Sequence, residues 1–126
     1  MKDLNEHFFI GRLTADPEPK YTNSGSCVFH FSIAVNTSKK VGEEFVDEPN
    51  FFEIVFWPKN VEYWAKQLYK GTKVAVHCEA TQDRWEQDGK TRSKVKFRVL
   101  GIPEVFPRVQ KPDVPAPEKA EDDIPF

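Results

Sequence analysis

Side-chain character alternates along the stretch Val28-Phe29-His30-Phe31-Ser32-Ile33-Ala34-Val35-Asn36. Large apolar side chains occupy every second position from Phe29 to Val35, with smaller or polar side chains between them. Because successive side chains of a strand point to opposite faces, this alternation predicts a strand with one buried face.

Towards the N terminus, residues 7–13 predict another strand, in which Gly11 marks a bulge or a close approach of two backbones. The run Asp16-Pro17-Glu18-Pro19 ends that strand, and Asn23-Ser24-Gly25 predicts a turn before the alternating stretch begins.

Towards the C terminus, residues 37–50 are charged and interrupted by Gly42 and Pro49, which predicts a long hairpin loop. Residues 51–57 predict a third strand that is largely apolar on both faces. One of these faces must therefore contact something other than the core.

A helix is predicted next, because Asn60 can cap it and an apolar stripe follows at helical spacing. Gly71 is placed as the residue just beyond its C-terminal end. The stripe consists of Val61, Trp64, Ala65 and Leu68.

Two more strands are predicted at residues 72–81 and 93–100, with a hairpin tip at Asp88-Gly89. On the fourth strand, one face carries Val74, Val76, Cys78 and Ala80. On the fifth, Val95, Phe97 and Val99 are expected to point inward, which turns Lys94, Lys96 and Arg98 outward.

The order of these elements predicts a mostly β protein: an OB-fold, which is a five-stranded Greek-key barrel, with its helix between the third and fourth strands. A mixed α+β sandwich could share this order. We expect the barrel to span residues 1–106, a Pro-rich linker residues 107–120, and an acidic docking tip residues 121–126. The tail from about residue 107 is expected to be disordered, because prolines and charges dominate it.

Charge is unevenly distributed along a chain whose net charge is −2. Residues 59–98 hold ten Lys and Arg against five Asp and Glu, so a basic surface is expected despite the acidic total. With only two cysteines and no apparent signal peptide or membrane span, the sequence predicts a cytoplasmic protein with free thiols.

Catalysis and metal binding have little support in the residue pattern, and we expect no cofactor, no metal and no catalytic residue. The acidic cluster at residues 43–48 lies in the predicted loop, where no rigid scaffold would hold a metal. A zinc site at Cys27, His30, His77 and Cys78 is disfavoured, because each neighbouring pair would point to opposite faces of its strand.

Binding of single-stranded nucleic acid has more support, because aromatic rings that stack on bases and cations that hold phosphates recur together. Trp85 lies in a polar hairpin beside Arg84, and Phe51 and Trp57 share one face of the third strand. An OB-fold binds single strands across its second and third strands and its 1–2 and 4–5 loops, where these residues fall.

At this point the chain resembles the bacterial single-stranded DNA-binding proteins of the SSB family. The resemblance begins with Asn5, the run 8–13 and the run 16–21, and continues through residues 51–59 and Lys70-Gly71. It ends on the closing sequence Asp122-Asp123-Ile124-Pro125-Phe126.

The resemblance implies a homotetramer without enzymatic activity that binds and protects single-stranded DNA, independently of sequence, in replication, recombination and repair. The closing sequence would recruit proteins of those pathways, and no membrane partner is implied. The residues expected to stack on bases are Phe51, Trp57 and Trp85. At phosphates the resemblance implies Lys20, Lys59, Lys70 and Arg84. The other basic residues near the rings, the helix end and the fifth strand add Lys73, Arg92 and Lys94 to the expected phosphate contacts. The docking residues are Asp122, Asp123, Ile124, Pro125 and Phe126.

The chain also departs from the family pattern. Residues 37–50 form a shorter segment with Lys39 and Lys40 where members place a Trp, so Phe45 either replaces that ring or the ring is missing. The linker is short, with little Gly or Gln. Two other classes stay open: an OB-fold adaptor of the primosome or of RNA metabolism, and a small OB-fold nuclease.

Overall fold

The computed structural model describes residues 1–107, which form seven strands and one helix. The strands are β1 (His7–Leu13), β2 (Glu18–Tyr21), β3 (Cys27–Val41), β4 (Glu44–Phe56), β5 (Lys73–Gln87), β6 (Lys90–Val99) and β7 (Glu104–Val105), and the helix is α1 (Val61–Gln67). Apart from Pro107, the predicted linker and docking tip lie outside the described residues.

The five long strands close into a barrel. The sheet runs β1-β3-β4-β6-β5, and β5 pairs again with β1 from Lys73 to Cys78. Inside lie the side chains that the alternation predicted, including Phe29, Phe31, Ile33, Ile54, Val74 and Cys78. The predicted OB-fold, with its helix between the third and fourth long strands, is therefore confirmed.

Gly11 lies where β1 leaves β5 and begins to pair with β3. A Cβ atom at this position would lie 2.7 Å from the backbone oxygen of Ala34 and 3.0 Å from Cγ2 of Val35. Only glycine lets the two backbones approach this closely, so the predicted close approach is confirmed.

The helix is shorter than the sequence predicts. Asn60 caps it as expected, because its side-chain oxygen accepts a hydrogen bond from the Tyr63 backbone N–H at 3.1 Å. Trp64 and Leu68 are buried, whereas Ala65 is exposed. The prediction for Gly71 is wrong: the helix ends at Gln67 with Leu68 as its C-cap, and Gly71 lies in the following turn with a φ of 88°.

The predicted loop at residues 37–50 is instead a two-stranded arm. β3 and β4 stay paired out to Val41 and Glu44, so only Gly42 and Glu43 form the turn. Gly42 has a φ of 66° at the first central position, as in a type II′ turn. The polar sequence was misleading because both faces of the arm are in water beyond the barrel, so no apolar alternation is needed.

The second hairpin is also longer than predicted. β5 and β6 pair as far as Gln87 and Lys90, and the predicted Asp88-Gly89 tip is confirmed by φ values of 54° and 75°. The inward placement predicted for Val95 is wrong, because its side chain is 52% exposed on the arm beyond the core.

Two short strands escaped the sequence analysis. β2 contains Pro19, which was interpreted as a strand breaker, but β2 pairs with β3 alone. Proline is tolerated on such an edge strand, where one side of the backbone needs no partner. β7 adds two residues to β5. Within residues 1–107, no helix has the length and apolar character needed to cross a membrane.

Candidate nucleic-acid interface

One side of β3, β4, β5 and β6 points away from the core, and we call it the outer face. The register identifies its members, because residues paired across neighbouring strands point to the same side. Ser32 pairs with Glu53, and Thr81 pairs with Lys96. The ion pairs of Lys96 with Glu53 and Asp83 join β4, β5 and β6 across this side.

Three large aromatic side chains lie along the outer face. Phe51, two positions from Glu53, is 64% exposed, and Trp85, two positions from Asp83, is 43% exposed. Trp57 is 45% exposed and continues the alternation of β4 as it ends, since a residue before proline favours an extended backbone. The structure thus places the three predicted rings on one side of the sheet.

Phe45 extends this row along the β3–β4 arm. It is exposed and lies six positions from Phe51, so it falls on the same side of β4. Its cross-strand partner is Lys40. Proteins bind single-stranded nucleic acid with this combination of an aromatic ring and a nearby cation.

Trp57 also borders a shallow pocket at the end of the barrel. The pocket lies between the β2–β3 turn and the segment that leads into α1. Its lining consists of Gly25, Ser26, Cys27, Trp57, Pro58, Lys59 and Val61. A ring and an exposed lysine therefore share one concave surface.

The predicted phosphate-binding residues are spread around this face rather than gathered in one cluster. Arg92 is the cross-strand partner of Trp85. Lys20 on β2 pairs with Val28 on β3, two positions from His30. Lys70 lies in the turn after α1, where its backbone N–H donates to the Asp16 carboxylate at 2.8 Å. All three cationic side chains belong to exposed residues.

The structure separates Arg84 and Lys73 from this surface. Arg84 follows the alternation of β5 and points to the side opposite Trp85, paired with Ser93. Lys73 is only 8% exposed, with its Nζ atom 5.2 Å from the centre of the Phe106 ring. Burial lowers the pKa of Lys73, as does neighbouring Arg12. Its predicted phosphate contact does not fit a side chain covered in this way, so Lys73 is left out of the interface.

Lys94 does lie on the outer face, but it carries a partner that the sequence did not suggest. Its Nζ atom donates to Oε1 of Glu53 at 2.8 Å, across 41 positions of the chain. Without the register of β4 and β6, no sequence signal links these two residues.

His30 lies in the middle of the outer face, half-buried between charged side chains. Burial lowers its pKa, and the neighbouring cations Lys96 and Lys20 lower it further. Glu53 and Asp83 act in the opposite direction. The neutral imidazole is thus the favoured form in this setting.

The four residues weighed as zinc ligands divide between the inside and the outside of the barrel. Cys27 and Cys78 are buried in the core, and burial raises the pKa of the Cys78 thiol to about 12. His77 is stacked on Phe8 on the other side, with ring centres 4.4 Å apart. In the described part of the chain, no three His, Cys, Asp or Glu side chains are grouped to hold a metal ion.

Comparison with known proteins gives consistent matches over the barrel. Residues 4–102 match the family model of the single-strand binding protein family. The single-stranded DNA-binding protein of Treponema pallidum (strain Nichols) is 44% identical over 102 residues, covering 81% of this chain and 58% of that protein. That of Aquifex aeolicus (strain VF5) is 41% identical over 95 residues, covering 75% of this chain and 65% of that protein. The match therefore spans less than two thirds of either relative.

Solved structures agree on the fold. An SSB complex with ssDNA from Plasmodium falciparum superposes with a TM-score of 0.75 at 24% identity, covering 85% of this chain and 98% of that one. A deletion mutant of the single-stranded DNA binding protein from Thermus aquaticus gives 0.71 at 26% identity, covering 82% and 51%. Because the family model spans nearly the whole barrel, this chain belongs to the single-strand binding protein family.

Proposed function

We propose that this protein binds single-stranded DNA, without sequence preference, across the outer face of its barrel. The observation that carries the proposal is the row of exposed rings at Phe51, Trp57 and Trp85 on one side of one sheet. A monomeric barrel has no structural reason to keep three such rings in water. Stacked bases would cover them.

Stacking explains why the affinity would not depend on the nucleotide sequence of the single-stranded DNA. Every base has an aromatic face, and each stacked base contributes about 1–3 kcal/mol. The relatives from Treponema and Aquifex are both named single-stranded DNA-binding proteins, which supports the proposal.

Phosphate contacts are assigned to the exposed cations beside the rings. We assign the main contacts to Lys20, Lys59 and Arg92, with Lys94 contributing once its ion pair opens. Lys70 and Arg84 lie off the row and are proposed to contact DNA only where the strand bends around the barrel. Each neutralised phosphate should add about 0.7 to the slope of log K against log salt.

A fluorescence titration tests the proposal. Oligo-dT should quench the exposed Trp57 and Trp85, while buried Trp64 keeps its emission. The quench should weaken as salt rises. Equal affinity for a duplex of the same length would refute the proposal, because paired bases cannot reach the rings.

The protein is further proposed to act without catalysis in replication, recombination and repair in the cytoplasm, at the nucleoid. Proteins of these pathways would dock on the tip formed by residues 121–126. Support for the tip is its composition: Ile124 and Phe126 offer apolar groups, Pro125 limits the entropy lost on docking, and the acidic residues suit a basic rim. Incubation of labelled single strand with magnesium should give no cleavage.

A homotetramer is proposed as the working form. Support comes from β1, where Phe8 is 74% exposed and Ile10 is 52% exposed on the side opposite the core. Exposed apolar side chains on a paired strand favour contact with another chain. Mass measurement in solution should give four chains, and Phe8→Asp should lower that number.

A further inference from the structure

The cations of β6 on the outer face are interleaved with carboxylates from both neighbouring strands. Lys94 and Lys96 come from β6, Glu53 from β4 and Asp83 from β5. All four side chains point to the side where Phe51 and Trp85 are exposed. The proposed path of the DNA therefore crosses these charges.

These charges form a connected set of ion pairs. The Oε1 atom of Glu53 accepts a hydrogen bond from the Nζ atom of Lys94 at 2.8 Å. The Oε2 atom of Glu53 lies 3.8 Å from the Nζ atom of Lys96. Lys96 is in turn 2.7 Å from Asp83. The hydrogen bond between them raises the pKa of Lys96 and lowers that of Asp83, so both stay charged at neutral pH.

The set is electrically neutral, with two ammonium groups and two carboxylates. This distinguishes the centre of the outer face from its ends. At one end, Arg92 lies beside Trp85, and the part of the chain that the structure describes gives it no ion pair. A phosphate arriving at the centre meets cations that carboxylates already hold.

We propose that Glu53 competes with DNA phosphate for Lys94, and thereby limits both the affinity for single-stranded DNA and its salt dependence. This inference rests on the proposed function. The side chain of Lys94 is 53% exposed, so a phosphate can reach it. That of Lys96 is only 21% exposed, so it mainly holds Glu53 and Asp83 in place.

The physical consequence concerns counterions. While Lys94 stays paired with Glu53 it neutralises no phosphate, so it releases none of the cations condensed on the DNA and adds little to the salt slope. Glu53→Gln would leave Lys94 without its charged partner. The slope should then steepen by about 0.7. The ratio of the variant's affinity to that of the unmodified protein should therefore be about fivefold larger at 0.1 M salt than at 1 M.

The experiment measures binding of the full-length protein to labelled oligo-dT between 0.1 M and 1 M salt. Glu86→Gln is the matched control, because it removes the same charge from the β5–β6 hairpin on the side opposite Trp85, where Glu86 pairs with Thr91. Thermal unfolding of each variant checks that the barrel is intact. Trp85→Ala, measured in parallel, reports whether this face binds DNA at all.

A second pair of variants separates competition from simple repulsion. In a Lys94→Gln background, Glu53→Gln should gain less than half of the steepening seen in the unmodified protein. A flat slope or a lower affinity for Glu53→Gln would overturn the inference, as would an equal gain in both backgrounds or an equal gain in the Glu86→Gln control. If Trp85→Ala also binds normally, the proposal that the outer face binds DNA is refuted. If Trp85→Ala binds weakly, only the role of Glu53 falls.

Discussion

Replacing Trp85 with alanine should weaken DNA binding strongly and leave the barrel nearly as stable as before. The ring is 43% exposed and lies on the β5–β6 arm, outside the buried core cluster. Losing one stacked base costs about 1–3 kcal/mol, which is a rise in Kd of about 5- to 150-fold. Losing its cross-strand pairing with Arg92 costs about 0.2–1 kcal/mol of folding stability.

The assay is fluorescence anisotropy of a labelled oligo-dT, because the substitution removes one of the intrinsic reporters. Val95→Ala is the control, since Val95 is 52% exposed on the opposite side of the same hairpin. It should bind normally. Trp85→Phe should recover most of the affinity, and the salt slope of Trp85→Ala should be unchanged because no charge is lost. Binding by Trp85→Ala at the level of the Val95→Ala control would refute the stacking role.

Three further changes test other parts of the account. Gly11→Ala should lower stability by about 1–3 kcal/mol, because the new Cβ atom meets the Ala34 oxygen; an unchanged urea midpoint would contradict the close approach. The neutral form of His30 should stabilise the fold above its ordinary pKa of 6.5, and this contribution should fall away as pH drops through the lowered value. Thermal unfolding between pH 5 and 7 should therefore be flatter for His30→Gln, and parallel curves would show that His30 is not responsible. Deleting Phe126 should abolish pull-down of repair proteins while oligo-dT affinity stays near normal. A large loss of DNA affinity would contradict the proposal that the tip serves only to dock partner proteins.

Burial is the main cause of the lowered His30 pKa, and the charges around the ring act in both directions. Glu18 of β2 is its cross-strand partner, and Lys20 of the same strand lies nearby. Glu53, Asp83 and Lys96 contribute from the other three strands. Because the folded protein resists protonation of His30 more than the unfolded chain does, acid favours unfolding in that pH range.

The barrel could be predicted from sequence where one face of a strand is buried. Alternation from Phe29 to Val35 and the Asp88-Gly89 turn were sufficient, because burial and left-handed turn residues leave local signals. The arms could not be predicted in this way. Residues 37–50 are paired but bury neither face, so their polarity resembles that of a loop.

The candidate site was predictable to the same extent. The rings stand out because large aromatic side chains in polar surroundings are unusual. The placement of Arg84 off the row of rings could also have been predicted, since it adjoins Trp85 on a strand and must point the other way. The burial of Lys73 and the pairing of Lys94 with Glu53 depend on which strands become neighbours. No local pattern carries that information.

Photochemical cross-linking tests the central claim most directly, because it shows which residues touch the bound strand. Oligo-dT containing iodouracil should be bound by the full-length protein, irradiated, and mapped by mass spectrometry. Adducts are expected at Phe51, Trp57 and Trp85; they should be lost when unlabelled single-stranded DNA competes and kept when duplex DNA competes. Adducts confined to the β1 side around Phe8, or an equal yield with duplex, would contradict it.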